Sequence, residues 1–557
     1  MKTYKVLFSK VIQHTLLVIA GIVQTYATCS PYTGETKGWL QIICAAVLCS
    51  YLSRSALKDP ATSPADGIFK GWRQPFTYGY VFALSWLGST FWWIYISLHT
   101  YGGLPSSLAV ISVVVLAGGL SVYYATVCAL YSVVSRNLPN VAKWFLFGAL
   151  WTTAELARGE WFSGFPWGAV GYAHLDSPLK LLAPYIGVYA VGAIAMTLAA
   201  LLSYLYRIFL EHGFRYLKKG NSNLLFSQKI KWLLVFCFYC SLTLPLASII
   251  SRVENLRDSE EKLSKAMSFS LLQGNIGQDI KYGTEGLKAL NWYKDKIMEA
   301  KTDWIITPET AVPVLKVQLP EGYLTQIIDH LKKEENHRQS VLIGLIGTNG
   351  DGYTNSAEGI NAQGEVFQYS KHHLVPFGEF IPPWFKWFTD LMRIPLGSFT
   401  RGELDQPSWE VGEQRVAVNI CYEDVFGEEI AKSFIKQEGT EPTVMVNMSN
   451  IGWFGPFLAV EQHLNASRMR AVEMHRPVLR ATNTGATAFI DQNGYVKGFL
   501  QKYTQGVLVG EIQGVLGPAT FYAKWSGQYG LMPLWFFCTL YSLICLSMAR
   551  YKKKKSI

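Results

Sequence analysis

Hydrophobic residues are distributed unevenly along this chain. Apolar runs follow one another closely between residues 9 and 251, another run lies near the C-terminus, and the segment between them alternates short apolar stretches with polar ones. A transmembrane helix needs about 20 mostly apolar residues. The pattern therefore predicts about eight membrane spans, at residues 9–27, 38–55, 76–98, 107–134, 141–157, 181–207, 230–251 and 530–549.

The segment 252–529 has the pattern of a folded domain outside the membrane. Runs rich in Val and Ile, bounded by turn residues, predict strands at 267–275, 304–308, 341–348, 416–420, 444–448 and 487–491. Apolar residues spaced three and four apart predict helices at 285–300, 323–335, 428–437 and 457–475. This alternation favours an α/β layered domain. We divide the chain into a transmembrane domain, 1–251, an α/β domain, 252–529, and a last span with a basic tail, 530–557.

The composition agrees with a membrane protein. Of the 557 residues, 50% are hydrophobic and 16% are charged, whereas soluble domains carry about 25% charged residues. These values exclude a wholly soluble chain and a disordered one. The nine Cys residues are too sparse for a small disulfide-stabilised scaffold.

Basic residues mark alternate loops and so predict the orientation. Lys and Arg cluster in the N-terminal segment, after the second span, before the seventh span and in the C-terminal tail. The positive-inside rule places these segments in the cytoplasm and 252–529 on the other side. The net charge of +10 is then mainly a topology signal, and no nucleic-acid partner is indicated because the charge is not gathered on the α/β domain.

Residues 1–28 could also form a cleaved signal peptide, but we favour a retained span because Tyr26-Ala27-Thr28 lacks the small residue at both expected positions.

Three reactive side chains stand where predicted strands or turns end. Glu309 follows the buried run 304–308, Lys371 follows a hairpin-like Asn-Ala-Gln-Gly at 361–364, and Cys421 ends the run 416–420. Taken singly, Glu309 is equally well a solvated loop carboxylate and Lys371 a surface charge. Cys421 is the one Cys between 252 and 529, so it has no disulfide partner within that domain, and its thiol is either buried and inert or reactive. A nucleophile at a strand-to-helix turn would have backbone N–H groups near it to hold an oxyanion.

These segments, in the order Glu, Lys, Cys, resemble the triad of the nitrilase, or carbon–nitrogen hydrolase, superfamily. With spans on both sides, the resemblance narrows to a membrane-embedded branch, the bacterial apolipoprotein N-acyltransferases. It covers nearly the whole chain, through similar motifs at 102–105, 162–167, 273–276, 373–379, 420–423 and 468–473. Two positions depart from the family pattern. Ile451 stands where an Asp is common, and Tyr282 is the nearest candidate for a Trp that some members have.

The resemblance implies a fold, a location and a reaction. The α/β domain would be a nitrilase-like α-β-β-α sandwich facing the periplasm, on a polytopic helical domain in the bacterial inner membrane, with both termini cytoplasmic. The reaction would move a fatty acyl chain from a membrane glycerophospholipid, through a Cys thioester, to the α-amine of the N-terminal S-diacylglyceryl-cysteine of apolipoproteins. No cofactor or metal is expected, because the adjacent His372 and His373 lack a recognisable ligand set.

The resemblance also implies site residues. Glu309 would be the general base and acid, Lys371 would lower the pKa of the thiol and stabilise the oxyanion, and Cys421 would be the nucleophile. The supporting residues would be Glu379, which orients Lys371 or assists proton transfer, Tyr422, whose backbone N–H would hold the oxyanion, and Glu423. Aromatic residues would face the membrane or the substrate, namely Trp384, Phe385, Trp387, Trp453 and Phe454.

Two other functions fit parts of the sequence. A membrane-tethered amidase would keep the same triad and use water as the acceptor. A permease or scaffold with a binding domain would need charged residues along a path through the spans, and the spans contain few.

Overall fold

The computed structural model describes residues 2–58, 71–217, 261–277, 284–333, 338–350, 352–382, 399–436 and 439–555. Helices dominate the first part of the chain and the C-terminal end, and strands dominate the middle. The longer helices are α1 Lys2–Thr28, α2 Gly38–Lys58, α3 Arg73–Phe91, α4 Ser106–Val134, α5 Asn140–Glu160, α6 Ala183–Leu217, α7 Thr284–Glu299, α8 Tyr323–Leu331, α9 Leu458–Met474, α10 Phe521–Tyr529 and α11 Met532–Lys555.

Several helices are long and apolar enough to cross a membrane. Within the described residues these are four, at Lys10–Thr28, Ser106–Asn137, Pro178–Leu210 and Met532–Tyr551. A fifth is counted if Arg73–Phe91 and Ile94–Tyr101, which meet at a 56° bend, form one broken span. The predicted runs at 38–55 and 141–157 are also helical, in α2 and α5. The predicted span at 230–251 lies outside the described residues, so the number of spans stays a prediction.

The middle of the chain folds into two sheets. Their strands are β1 Lys262–Leu263, β2 Met267–Gln273, β3 Trp304–Ile306, β4 Val312–Leu315, β5 Ser340–Asn349, β6 Gly352–Asn361, β7 Val366–Ser370, β8 Trp409–Val411, β9 Gln414–Ile420, β10 Val444–Ser449, β11 Val478–Thr482, β12 Ala488–Ile490, β13 Val496–Phe499, β14 Gly506–Ile512 and β15 Val515–Leu516. One sheet has the order β14-β2-β3-β5-β6-β7, with β4 beside β5, and the other has the order β13-β12-β11-β10-β9-β8. In the centre of each sheet three strands are parallel: β2, β3 and β5 in the first, and β9, β10 and β11 in the second.

The two sheets pack face to face between layers of helices. Trp304 and Leu342 from the first sheet share one buried cluster with Val446 from the second. Helices α7 and α8 cover the outer face of the first sheet, and α9 and α10 cover that of the second. The predicted α-β-β-α sandwich is therefore confirmed. The central parallel strands are almost continuously apolar because both of their faces are covered.

One predicted helix is wrong in length. The segment predicted as a helix at 428–437 forms a single α turn, Gly427–Ile430, followed by a 3₁₀ turn, Ala431–Phe434. Helix α10 crosses this segment so closely that a Cβ atom added to Gly527 would lie 2.6 Å from the carbonyl oxygen of Ala431. This close crossing leaves no room for a longer regular helix there.

The sandwich sits directly on the membrane helices. Tyr422, Phe426 and Leu458 belong to the same buried cluster as Trp86 and Trp151 of the helical domain. The two parts are also joined by hydrogen bonds, because the Gln462 side-chain oxygen accepts from the indole N–H groups of Trp93 at 3.1 Å and of Trp167 at 2.7 Å. The α/β domain is therefore anchored on the bundle through a continuous core.

Candidate active site

The chain brings the predicted triad together at the carboxyl ends of the parallel strands. Glu309 follows β3, Cys421 follows β9, and Lys371 follows β7 at the edge of the first sheet. β3 and β7 belong to the first sheet and β9 to the second. Because the two sheets pack face to face, the ends of these strands bring residues that are far apart in the chain to one place. The turn after β10, at Ser449 and Asn450, closes the same site.

Lys371 lies between two carboxylates. Its Nζ donates to Oε1 of Glu379 at 2.9 Å and to Oε1 of Glu309 at 3.1 Å. Lys371 is almost fully buried, and burial alone would lower its pKa, but the charges of the two glutamates outweigh burial and raise the pKa above its ordinary value. The lysine is therefore a permanent cation in the site.

Asn355, on β6, completes this cluster. Its Nδ2 donates to Oε1 of Glu309 and to Oε1 of Glu379, at 2.7 Å in both cases. The sequence reasoning missed this residue, because β6 has too many polar residues to read as a buried strand. The second carboxylate oxygens are held as well, since Oε2 of Glu309 accepts from the Asn450 backbone N–H and Oε2 of Glu379 from the Val375 backbone N–H, both at 2.8 Å.

The backbone is strained beside Glu309 and at Cys421. Cys421 has φ = +53° and Thr310, next to Glu309, has φ = +46°. Side chains other than Gly rarely adopt such angles, and strain of this kind clusters at functional sites. Strand β5 passes close to the backbone of the Glu309 turn at Gly344. A Cβ atom on Gly344 would lie 2.2 Å from the Pro308 carbonyl oxygen, so only Gly fits there.

The resting Cys421 thiol is protonated. Burial and the negative charge of Glu309 raise its pKa to about 12, although Lys371 and hydrogen bonds from Ser449 and the Asn450 backbone act in the opposite direction. We predicted that Lys371 lowers the pKa of the thiol. Its own effect is downward, but burial and the carboxylate outweigh it. The thiol therefore needs a base at the moment of reaction.

A buried polar network holds the Cys421 turn from behind. The His463 Nε2 bonds to the Cys421 carbonyl oxygen at 2.9 Å, and its Nδ1 bonds to the Arg480 guanidinium at 2.8 Å. Arg480 also donates to Asp424 at 3.0 Å and to Asn447 at 2.8 Å. Burial and then the Arg480 charge lower the pKa of His463 well below its ordinary value, so the imidazole is neutral and Nε2 is the donor. Nothing in the sequence pattern marked His463 or Arg480 as site residues.

Glu423 and Tyr422 occupy supporting positions rather than facing the triad. The Glu423 carboxylate accepts from the backbone N–H of His372 at 2.7 Å and of Ile420 at 2.6 Å, which ties the Lys371 loop to the Cys421 strand. Burial raises the pKa of Glu423 to about 7 despite these bonds. The Tyr422 ring stacks on Trp167 of the helical domain, with centroids 6.2 Å apart.

The aromatic residues predicted to face membrane or substrate fall into two groups. Trp384, Phe385 and Trp387 lie outside the described residues, as does Tyr282. Trp453 is 37% exposed and its ring centroid lies 5.4 Å from that of Tyr101. Phe454 packs against Trp93 at 4.4 Å. Both residues therefore contact the bent segment that follows α3. Ile451, at the position where the family commonly has Asp, is buried.

The comparisons with known proteins agree with this architecture. Residues 37–201 match the family model of the apolipoprotein N-acyltransferase N-terminal domain, and residues 269–520 match that of carbon–nitrogen hydrolase. An apolipoprotein N-acyltransferase from Verminephrobacter eiseniae is 43% identical over 92% of this chain and 92% of its own length.

This chain belongs to the apolipoprotein N-acyltransferase family. A second family member, from Ralstonia nicotianae, is 37% identical over 91% of this chain and 88% of its own length. Among solved structures, a CN-hydrolase superfamily protein from Xanthomonas campestris aligns with 48% of this chain and 96% of its own, at 14% identity and a TM-score of 0.33. The family contains membrane enzymes, and the several apolar helices of this chain agree with that.

Proposed function

We propose that this chain is an apolipoprotein N-acyltransferase that works through a thioester on Cys421. The acyl donor would be a membrane glycerophospholipid and the acceptor the α-amine of an S-diacylglyceryl-cysteine at the N-terminus of an apolipoprotein. The observation that carries the proposal is the convergence of Glu309 and Glu379 on the buried ammonium of Lys371, beside a strained cysteine.

In the first half-reaction the thiol becomes the nucleophile. Glu309 takes the Sγ proton while the sulfur attacks the ester carbonyl carbon of the phospholipid. The C–S bond forms, the C–O bond to the glycerol breaks, and Glu309 returns the proton to the departing alkoxide. The products are an acyl thioester on Cys421 and a lysophospholipid.

In the second half-reaction the amine of the apolipoprotein attacks the thioester carbonyl. Glu309 removes a proton from the amine as the C–N bond forms. The C–S bond then breaks, and the proton returns to sulfur. The product is an amide, and the free thiol is ready for another phospholipid.

Lys371 would stabilise the charge that develops in both steps. A tetrahedral intermediate carries a negative oxygen, and a fixed cation in a site shielded from water stabilises it strongly. Lys371 and the backbone N–H of Tyr422 are the proposed donors to that oxygen. Glu379 and Asn355 would position the lysine, since they hold its ammonium and the Glu309 carboxylate in one cluster.

The location of the site suits two lipid-anchored substrates. The 3₁₀ segment Trp161–Ser163, at the end of α5, reaches the site region, where the Ser163 carbonyl oxygen lies 3.0 Å from His373 Nε2. The catalytic turn thus lies at one end of the helical bundle. With the basic loops at the other end, the domain would face the periplasm and both termini the cytoplasm. Blocking single engineered cysteines with a membrane-impermeant thiol reagent in intact cells tests this: sites in 252–529 should react, and sites near Lys552 should not.

A labelling experiment tests the mechanism. Purified protein is incubated with phospholipid that carries a radiolabelled acyl chain, without acceptor, and the labelled protein is then treated with neutral hydroxylamine, which cleaves thioesters. We expect a hydroxylamine-sensitive label that is lost in Cys421→Ser and kept in the control Cys538→Ser, whose thiol lies in α11. A Cys421→Ser protein that still labels and still transfers acyl chains would refute the thioester.

The amidase alternative predicts a different acceptor. If water were the acceptor, the enzyme would release ammonia from small amides and would need no lipid. Adding a synthetic diacylglyceryl-cysteinyl peptide to the labelled enzyme distinguishes the two: the label moves to the peptide amine in an acyltransferase and appears as free fatty acid in a hydrolase.

A further inference from the structure

The helical domain contains a second polar site, at the end of the bundle opposite Cys421. A cavity that opens to the surface lies among the C-terminal end of α2, the turn between α4 and α5, and the C-terminal half of α6. Four cations line it, namely Arg54, Arg136, Lys143 and Arg207.

The cavity is far from the triad. Helix α5 has 21 residues, and at about 1.5 Å per residue it spans roughly 30 Å. Asn140 and Lys143 at its beginning line the cavity, whereas the Ser163 carbonyl just beyond its end contacts His373 in the catalytic domain. A molecule in the cavity could not react with Cys421.

The lining is strongly cationic and otherwise neutral. Besides the four basic residues it consists of serine and tyrosine hydroxyls, Asn140, a Trp and an Ala, and the described lining residues include no Asp or Glu. The positive-inside rule needs basic residues only somewhere in the cytoplasmic loops. It does not require that side chains from three separate helical regions converge on one cavity.

The neighbouring surface is apolar. Leu198, Leu202 and Leu205 of α6 are 37%, 39% and 44% exposed. Their spacing of four and three residues puts them on one helix face, which leads from Arg207 toward the middle of the membrane. At the cavity itself the Tyr204 hydroxyl accepts from Asn140 at 3.0 Å, and its ring lies 5.4 Å from that of Trp144. Such aromatic residues prefer the boundary between headgroups and acyl chains.

We propose that this cavity binds the phosphate headgroup of an anionic phospholipid, in the leaflet opposite the catalytic domain. Guanidinium groups match the geometry of phosphate oxygens, and basic pockets between membrane helices on the cytoplasmic side bind anionic headgroups. The exposed leucine face of α6 would carry the acyl chains. This lipid is a bound ligand of the bundle and not a substrate, because of its distance from Cys421.

The test uses a lipid that the active site cannot consume. Full-length protein in neutral detergent is titrated with a diether phosphatidylglycerol, which has no ester bond, and the thermal unfolding midpoint is followed. A diether phosphatidylcholine and inorganic phosphate serve as separate arms. We expect saturable stabilisation by phosphatidylglycerol and not by the other two. Each of Arg136→Gln and Arg207→Gln should weaken the apparent affinity by about tenfold, the effect of losing one charge-assisted hydrogen bond.

The matched control is Arg550→Gln. Arg550 is exposed near the C-terminal end of α11, at the same end of the bundle, and does not line the cavity. Its variant should keep the wild-type affinity. Equal weakening in Arg550→Gln, equal stabilisation by phosphatidylcholine, or stabilisation by inorganic phosphate alone would each overturn the proposal. If Arg207→Gln does not accumulate, Arg207→Lys takes its place. This variant keeps the positive charge but loses the planar guanidinium with its paired N–H donors, and it should weaken binding by about threefold.

Discussion

His463 Nε2 lies 2.9 Å from the carbonyl oxygen of Cys421, in a network that continues through Arg480 to Asp424 and Asn447. The imidazole does not touch the sulfur. It bonds to the backbone of Cys421, which has the strained angle φ = +53°. His463 is therefore a positioning residue, and its contribution should appear in turnover rather than in substrate binding.

Replacing His463 tests this role. His463→Phe leaves the Cys421 carbonyl with only the longer bond from Asn447 Nδ2, at 3.4 Å. Losing the shorter bond costs about 1–3 kcal/mol, so kcat should fall about 10- to 100-fold with little change in KM. His463→Gln restores a donor and should recover part of the loss. Steady-state acyl transfer to a diacylglyceryl peptide gives both constants. If His463→Phe and His463→Gln lower kcat equally and both raise KM, His463 contributes only through packing.

The charge of Lys371 should be essential. In Lys371→Met the carboxylates of Glu309 and Glu379 lose the ammonium that both accept from, and the site loses the cation proposed to stabilise the oxyanion. We expect acylation of Cys421 to slow at least about 10³-fold, as for the loss of a principal oxyanion donor. The control is Lys316→Met, which removes a half-exposed lysine that pairs with Glu358 elsewhere in the domain. Single-turnover labelling measures the rate, and a Lys371→Met enzyme within tenfold of wild type would contradict the proposed role.

Asn355 should matter because it donates to both carboxylates. Asn355→Ala removes the donor and should lower kcat about tenfold, whereas Asn355→Asp adds a third carboxylate to the cluster and should lower it further. The control is Asn361→Ala at the far end of the same strand, whose side chain bonds to the exposed Glu365. The melting temperature of each variant separates a catalytic defect from unfolding. Equal activity in Asn355→Asp and Asn355→Ala would show that the charge in the cluster is unimportant.

The raised pKa of Cys421 predicts how the alkylation rate of its thiol changes with pH. Because the folded-state pKa lies near 12, only a small fraction is thiolate at neutral pH, and that fraction grows about tenfold with each pH unit. Alkylation of the Cys421 peptide by iodoacetamide, followed by mass spectrometry, should therefore rise steadily from about pH 7 to about pH 10. In Lys371→Met the loss of the cation raises the pKa further and slows alkylation at every pH. A plateau near neutral pH would show a preformed thiolate instead.

Much of the fold and the triad could be predicted because the signals are local. β3, β5 and β10 are short, mostly apolar runs. Glu309 stands shortly after β3 and Cys421 directly after β9, so their convergence follows from the layered architecture. Four of the predicted spans, at 9–27, 107–134, 181–207 and 530–549, coincide with described helices that are long and apolar enough to cross a membrane. The bend that divides the run at 76–98 could not be predicted, because contacts between Trp93 and Gln462, which are 369 residues apart, stabilise it.

The polar supports of the site were not predictable for a related reason. Asn355 lies in a strand whose residues are mostly Gly, Ser, Thr and Asn, so its burial comes from its neighbours and not from its own pattern. Arg480 lies in the middle of β11, where a charged residue interrupts the apolar pattern that predicts a buried strand. Its partners Asp424 and His463 come from other elements, and only the folded sheet brings them together.

The continuous core between bundle and sandwich constrains how this enzyme is made and how it can be recombined. Helix α9 carries both His463, which bonds to the Cys421 carbonyl, and Gln462, which bonds to Trp93 and Trp167. We therefore expect the Cys421 turn to reach its final conformation only after the early helices are in the bilayer. During synthesis the sandwich must therefore mature on a scaffold that is already inserted. A chimera that joins the helices of one relative to the sandwich of another should fail unless residues on both sides of this contact are exchanged together.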